Sequence, residues 1–156
     1  MEKDVLDILS LLEAGKTIQI MPHGYSMYPM FIPGRDSAII NAAKEIKLKR
    51  GDVVLYKRDH GILVLHRIWK IDAKGIYMNG DNQLVIEGPL RLDQVKGKLV
   101  AFIRNNKTIS TQNLIYKIIA CIWINTLPVR GIAHATVRKT RAIIGKERVK
   151  SNKEQD

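Results

Sequence analysis

With 156 residues the chain has the size of one domain and room for a single hydrophobic core. Apolar residues at 46% and charged ones at 26%, with no repeat or low-complexity tract, exclude a largely disordered chain or a repeat array. A net charge of +11 favours polyanionic partners, lipid or nucleic acid, without choosing between them, and the one cysteine, Cys121, excludes an internal disulfide and a multi-cysteine metal site.

The opening "MEKDVLDILSLLEAG" sets Val5, Leu6, Leu9 and Leu12 at helical spacing and ends on Gly15 as a cap. This predicts an amphipathic helix over 3–14 within an N-terminal segment 1–16. The early acids and the lack of a continuous apolar run read against a signal peptide or membrane anchor, so the expected compartment is the cytoplasm.

"TIQIMP" then alternates as a strand does and leads into "PHGYSMYPMFIPGRD", residues 22–36, where three prolines and two glycines surround Ser26. Beyond it, "DSAIINA", "GDVVLYKR", "GILVLHRIWKID", "GIYMNGD" and "VKGKLVAFIR" are β-branched runs punctuated by turn signals such as "RDHG" and "DAKG". Gly51 and Asp52 read as turn residues that start a central strand pair, and "RDHG" as the turn of a hairpin whose second arm carries His66. The expected fold is mainly β: a small antiparallel domain over 17–104, a closed or half-closed barrel, with an N-terminal helix and a C-terminal helical extension over 113–145. Residues 146–156 read as a disordered tail.

After "NNKTIS" the pattern changes. "NLIYKIIACIWINTL" is apolar nearly all round but about 15 residues long, short of the roughly 20 needed to cross a bilayer. Two readings remain open: a helix packed on the β domain, with Cys121 as core filling, or an interfacial helix continuing into the basic "RGIAHATVRKTRAII". From Arg130 to the end, eight basic residues face three acidic ones. Such a segment suits peripheral contact with an anionic membrane, or serves only as a solvated tail.

Few residues can carry chemistry. His23, His60, His66 and His134 are scattered without a second ligand at a useful spacing, so no metal is expected, and no other cofactor. "GYSMYPMFIPG" lacks the lysine that grips phosphate, which argues against nucleotide hydrolysis. A serine nucleophile is left. It needs a neighbouring base for its proton and backbone N–H groups for the oxyanion of acyl transfer, and a tight glycine-containing turn can present both. Ser26 fits that description, as does a plain structural turn serine. His66, in the apolar strand "ILVLHRI", is the candidate base, or else a satisfied core histidine. His23, three residues before Ser26, is its rival, while His60 falls in the hairpin turn and is expected to be exposed.

These stretches, in this order, resemble the superfamily of signal peptidase I and the repressor-type self-cleaving serine peptidases. "GYSMYPMFIPGRD" is similar to the nucleophile box, "KRGDVVLYK" to the element that follows, "VLHRIWKI" to the strand that supplies the base, and "NGDNQ" to the Gly-Asp-Asn box. The histidine at 66 resembles the archaeal and endoplasmic-reticulum branch, where bacterial signal peptidases and the repressors carry lysine. In its shortness the chain looks like anchorless bacterial members.

The resemblance implies a serine endopeptidase in which Ser26 attacks, His66 is the general base and Asp81 supports it, with Glu87 as the alternative acid. The backbone N–H of Ser26 would serve the oxyanion. The substrate would be a peptide or leader segment with small residues next to the cut, lying extended against a strand edge beside Tyr25, Met27, Met30 and Phe31. Two alternatives remain: a non-catalytic binding module of the same fold, recruited to anionic membrane or nucleic acid, and a repressor-type self-cleaving protease. Of the polyanions, membrane rather than nucleic acid is the expected partner.

Overall fold

A computed structural model describes residues 2–43 and 47–126. The chain divides into a compact unit from Met1 to Ile124 and a second from Asn125 to Asp156. The basic run from Arg130, His134 and the expected tail at 146–156 lie outside the described residues.

The first unit opens with helix α1 (Glu2–Glu13), close to its predicted span. Leu9 and Leu12 are buried, and Gly15, at φ +74°, closes the helix by donating its N–H to the Leu12 carbonyl. Eight strands follow: β1 (Ile18–Ile20), β2 (Asp36–Ala42), β3 (Val53–Lys57), β4 (Leu63–Asp72), β5 (Gly75–Asn79), β6 (Ile86–Leu90), β7 (Val95–Arg104) and β8 (Lys107–Ser110). Helix α2 (Leu114–Asn125) is the last element among the described residues, its first turn capped by the Asn113 side chain, which accepts from the Ile115 N–H.

The fold is mainly β, one antiparallel sheet with α1 before it and α2 after it in the described sequence. Strand order is β1-β2-β7-β3-β4-β5-β6, with β8 paired to β7. β7 organises it: one edge pairs with β2 from Asp36↔Arg104 to Ala42↔Gly97, and the other takes β3 near Lys98 and β8 near Phe102. The barrel allowed by the sequence is not closed, because the order begins at β1 and ends at β6 without a pairing between them. β6 suits an edge: Pro89 has no N–H to give to a further strand.

Alternate residues of β3 enter opposite clusters. Val53 and Leu55 join Leu12, Ile18, Phe31, Ile40, Leu99 and Phe102, while Val54 and Tyr56 join Ile68, Ile76, Met78 and Leu90. A central strand buried on both faces reads as an unbroken apolar run, as "VVLY" does. The sheet runs past the expected limit at residue 104, since Asn105 and Asn106, both at positive φ, turn the chain back into β8.

α2 packs on one side only. Tyr116, Ala120 and Ile124 are buried, whereas Leu114, Ile115, Ile118, Ile119 and Ile122 are exposed. Cys121 is exposed as well, which corrects its reading as core filling: it falls off the buried 116–120–124 stripe. Among the described residues no helix is long and apolar enough to cross a membrane.

Candidate active site

Ser26 lies in the long connection between β1 and β2, and that loop is fastened at several points. Gly24 at φ +79° makes the bend that a side chain would strain. The Tyr28 N–H donates to the Tyr25 carbonyl and the Phe31 N–H to that of Met27, forming two overlapping turns around the serine. Met27 and Phe31 anchor the loop in the core, Phe31 meeting Phe102 edge to face at 5.6 Å.

The far end of the loop is held by charge. Asp36, fully buried at the start of β2, accepts from the Ile32 N–H and from both Arg35 and Arg104, and Arg104 also donates to the Met30 carbonyl at 2.6 Å. Burial pushes this carboxyl up, but the hydrogen bonds from the two arginines outweigh it and hold Asp36 well below the usual carboxylate range.

The "NGDNQ" turn after β5 grips Ser26 directly. The Asn82 N–H donates to the Ser26 carbonyl at 2.8 Å. Gly80 is required by this approach, since a Cβ there would lie 2.7 Å from the same oxygen. Ser26 is half-buried, and among the described residues no hydrogen bond engages its hydroxyl or its N–H.

His66 comes from β4, opposite Val54 of β3, and is 2% exposed. It lines, with Ser26, one open groove of about 880 Å³ whose walls also include Val5 and Ile8 of α1, Ile20 to Tyr25, Leu63 to Leu65, Arg58 and Asn82. Two segments forty positions apart therefore meet at one cavity. Burial pushes the imidazole down to about 4, helped by the Arg58 charge and against the opposing pull of Glu87 and Asp81, so it is neutral at physiological pH and able to accept a proton.

The acids are arranged differently from the first expectation. Asp81 takes both guanidinium N–H groups of Arg67 on its carboxylate, at 2.8 and 2.7 Å, and each partner is 2% exposed. Asp81 therefore makes its hydrogen bonds to Arg67, and its charge still pulls the neighbouring His66 imidazole upward. Glu87 of β6 is the acid connected to His66, through a residue the sequence reading passed over. The Tyr56 hydroxyl lies 3.1 Å from His66 Nδ1 and donates to Glu87 Oε2 at 2.8 Å. Arg58 holds both Glu87 oxygens at 2.6 Å. Burial works against the Glu87 charge, but Arg58 and Tyr56 outweigh it and keep the carboxyl below its ordinary value; burial and Glu87 together push the Tyr56 phenol up.

No family model matches the chain, and no curated protein sequence matches it.

The expected substrate wall divides. Tyr25, 66% exposed, and Met27 line the groove, although Met27 is otherwise core. Phe31 belongs to the core, and Met30 opens instead on a separate apolar cavity beside Phe102 and α2. Neither lines the groove that holds Ser26. His23 is exposed on the groove, and His60 is exposed in the β3–β4 turn. Among the described residues no group of three or more His, Cys, Asp or Glu side chains could hold a metal ion.

Proposed function

We propose that the protein is a serine endopeptidase of the signal peptidase I type, with Ser26 as nucleophile and His66 as general base. One observation carries this reading: Ser26 and a buried, neutral histidine line the same groove. A peptide lying in that groove would place its scissile carbonyl over Ser26. His66 takes the hydroxyl proton as Oγ attacks the carbonyl carbon, and the oxyanion accepts from the Ser26 N–H. His66 then gives its proton to the leaving amine, and water, activated by the same imidazole, releases the acyl group and restores the serine. Tyr25 and Met27 would border the bound chain. By resemblance, residues next to the cut are small and the substrate is a peptide or leader segment.

The test is covalent labelling of the intact protein with a fluorophosphonate, read by peptide mapping. The expected adduct is on Ser26, with labelling at least tenfold slower in His66→Ala. A wild-type protein unlabelled at Ser26 would overturn the reading.

A second reading, a binding module recruited to a lipid surface, draws support from α2. Five exposed aliphatic side chains on a helix of twelve residues, in a chain of net charge +11, suit peripheral contact with anionic lipid, whether or not the groove turns over substrate.

A further inference from the structure

The Tyr56 hydroxyl stands between an acid and a base, and its single proton can serve one of them. A phenol has one O–H to donate and lone pairs to accept. Glu87, gripped by Arg58 through both oxygens, is a carboxylate and can only accept, so the Tyr56 proton is committed to Glu87 Oε2 at 2.8 Å. Towards His66, 3.1 Å away, the phenol oxygen then has only lone pairs to offer. A hydrogen bond there requires that Nδ1 carry the imidazole proton. The other ring nitrogen, Nε2, is then the one with a free lone pair.

We propose that Tyr56 is a positioning residue that fixes His66 in the Nδ1–H tautomer, so that Nε2 is the basic atom available to Ser26. The Arg58–Glu87–Tyr56–His66 chain thereby does indirectly what an acid bonded straight to histidine does in a serine triad. The strand register builds it. Val54 faces His66 and Tyr56 faces Val64, which makes Tyr56 and His66 diagonal neighbours on one face, with ring centroids 6.0 Å apart. Pairing of β5 with β6 at Met78↔Glu87 brings the acid alongside. A phenylalanine at 56 would fill the same space and break the chain.

The inference rests on the peptidase reading for its purpose, but its test does not. Nitrogen-15 NMR of the full-length, histidine-labelled protein near neutral pH reports the tautomer directly, the His66 signals being assigned by comparison with His66→Asn. The wild type should show Nδ1 protonated and Nε2 unprotonated, and Tyr56→Phe should lose that preference. With a cleaved peptide as substrate, Tyr56→Phe should lower kcat at least tenfold while KM changes less than twofold, within the ~10⁴ that loss of the orienting acid costs a triad. A wild-type His66 protonated at Nε2 overturns the proposal without any variant. So does a Tyr56→Phe protein that keeps the wild-type tautomer. If the wild type cleaves nothing, the peptidase reading fails and the tautomer alone decides for or against the positioning role.

Discussion

Arg67 and Asp81 form a doubly hydrogen-bonded ion pair, and Arg67 also donates to the Gly51 carbonyl. The pair joins the middle of β4 to the turn that holds Ser26, since the next residue after Asp81 donates its N–H to the Ser26 carbonyl. Asp81 thus ties that turn to β4.

Removing one partner of a buried pair leaves the other charge uncompensated, which costs about 3–5 kcal/mol. Asp81→Ala is expected to lose stability of that order in urea unfolding. Joint replacement by Arg67→Met and Asp81→Leu should recover most of it, because two apolar side chains leave no charge behind. A single-variant loss below about 1 kcal/mol would contradict this role.

Gly80→Ala tests the grip on the serine loop. Its Cβ would meet the Ser26 carbonyl at 2.7 Å and the Gln83 side chain at 2.8 Å, and the backbone oxygen cannot move without moving Ser26. A shift of about 1 Å at a reacting group costs roughly a hundredfold in rate. Peptide cleavage or fluorophosphonate labelling should fall by that order, while far-ultraviolet circular dichroism stays unchanged. Unaltered labelling would show that the contact is not needed.

The pH dependence follows from His66. An unperturbed histidine base would lose activity below about pH 6.5, but burial takes the folded value to about 4. The kcat/KM profile is therefore expected to stay level down to about pH 5 and to fall towards pH 4. Stability has the same sign. The unfolded chain binds the His66 proton from about 6.5 downward and the folded one only near 4, so folding weakens as pH drops through that window, by up to ~3 kcal/mol. An acid limb centred at 6.5 would mean that His66 is more hydrated than its 2% exposure implies.

For α2 the expected outcome is lipid binding that depends on its outward face. Flotation with phosphatidylglycerol–phosphatidylcholine vesicles should recover the wild type and lose most of it for Ile118→Asp combined with Ile122→Asp, both positions being exposed. Equal flotation of the two proteins would remove α2 from the membrane reading.

Much of the fold was legible because the signals were local. Turn pairs such as "RDHG" and "DAKG" lie where hairpins form, and each β-branched run between them became a strand. β6 escaped because "IEGPL" holds a glycine and a proline and is mostly exposed, as an edge strand can be. β8 escaped although Asn105-Asn106 is a hairpin signal, since "KTIS" has one apolar residue. In the site, Ser26 and His66 were readable as residue types in constrained or costly settings. Asp81 and Glu87 were both nameable as acids, but which of them is hydrogen-bonded towards His66 is decided by strand register and side-chain face, and Tyr56, inside the apolar "VVLY", gives no sign of the hydroxyl contact made across the sheet.

The most direct measurement is mass spectrometry of a peptide library incubated with the wild type, Ser26→Ala and His66→Ala. Cleavage at small residues by the wild type, absent with Ser26→Ala and reduced by at least about a hundredfold with His66→Ala, is the predicted result. The same cleavage products from Ser26→Ala at the wild-type rate would contradict it.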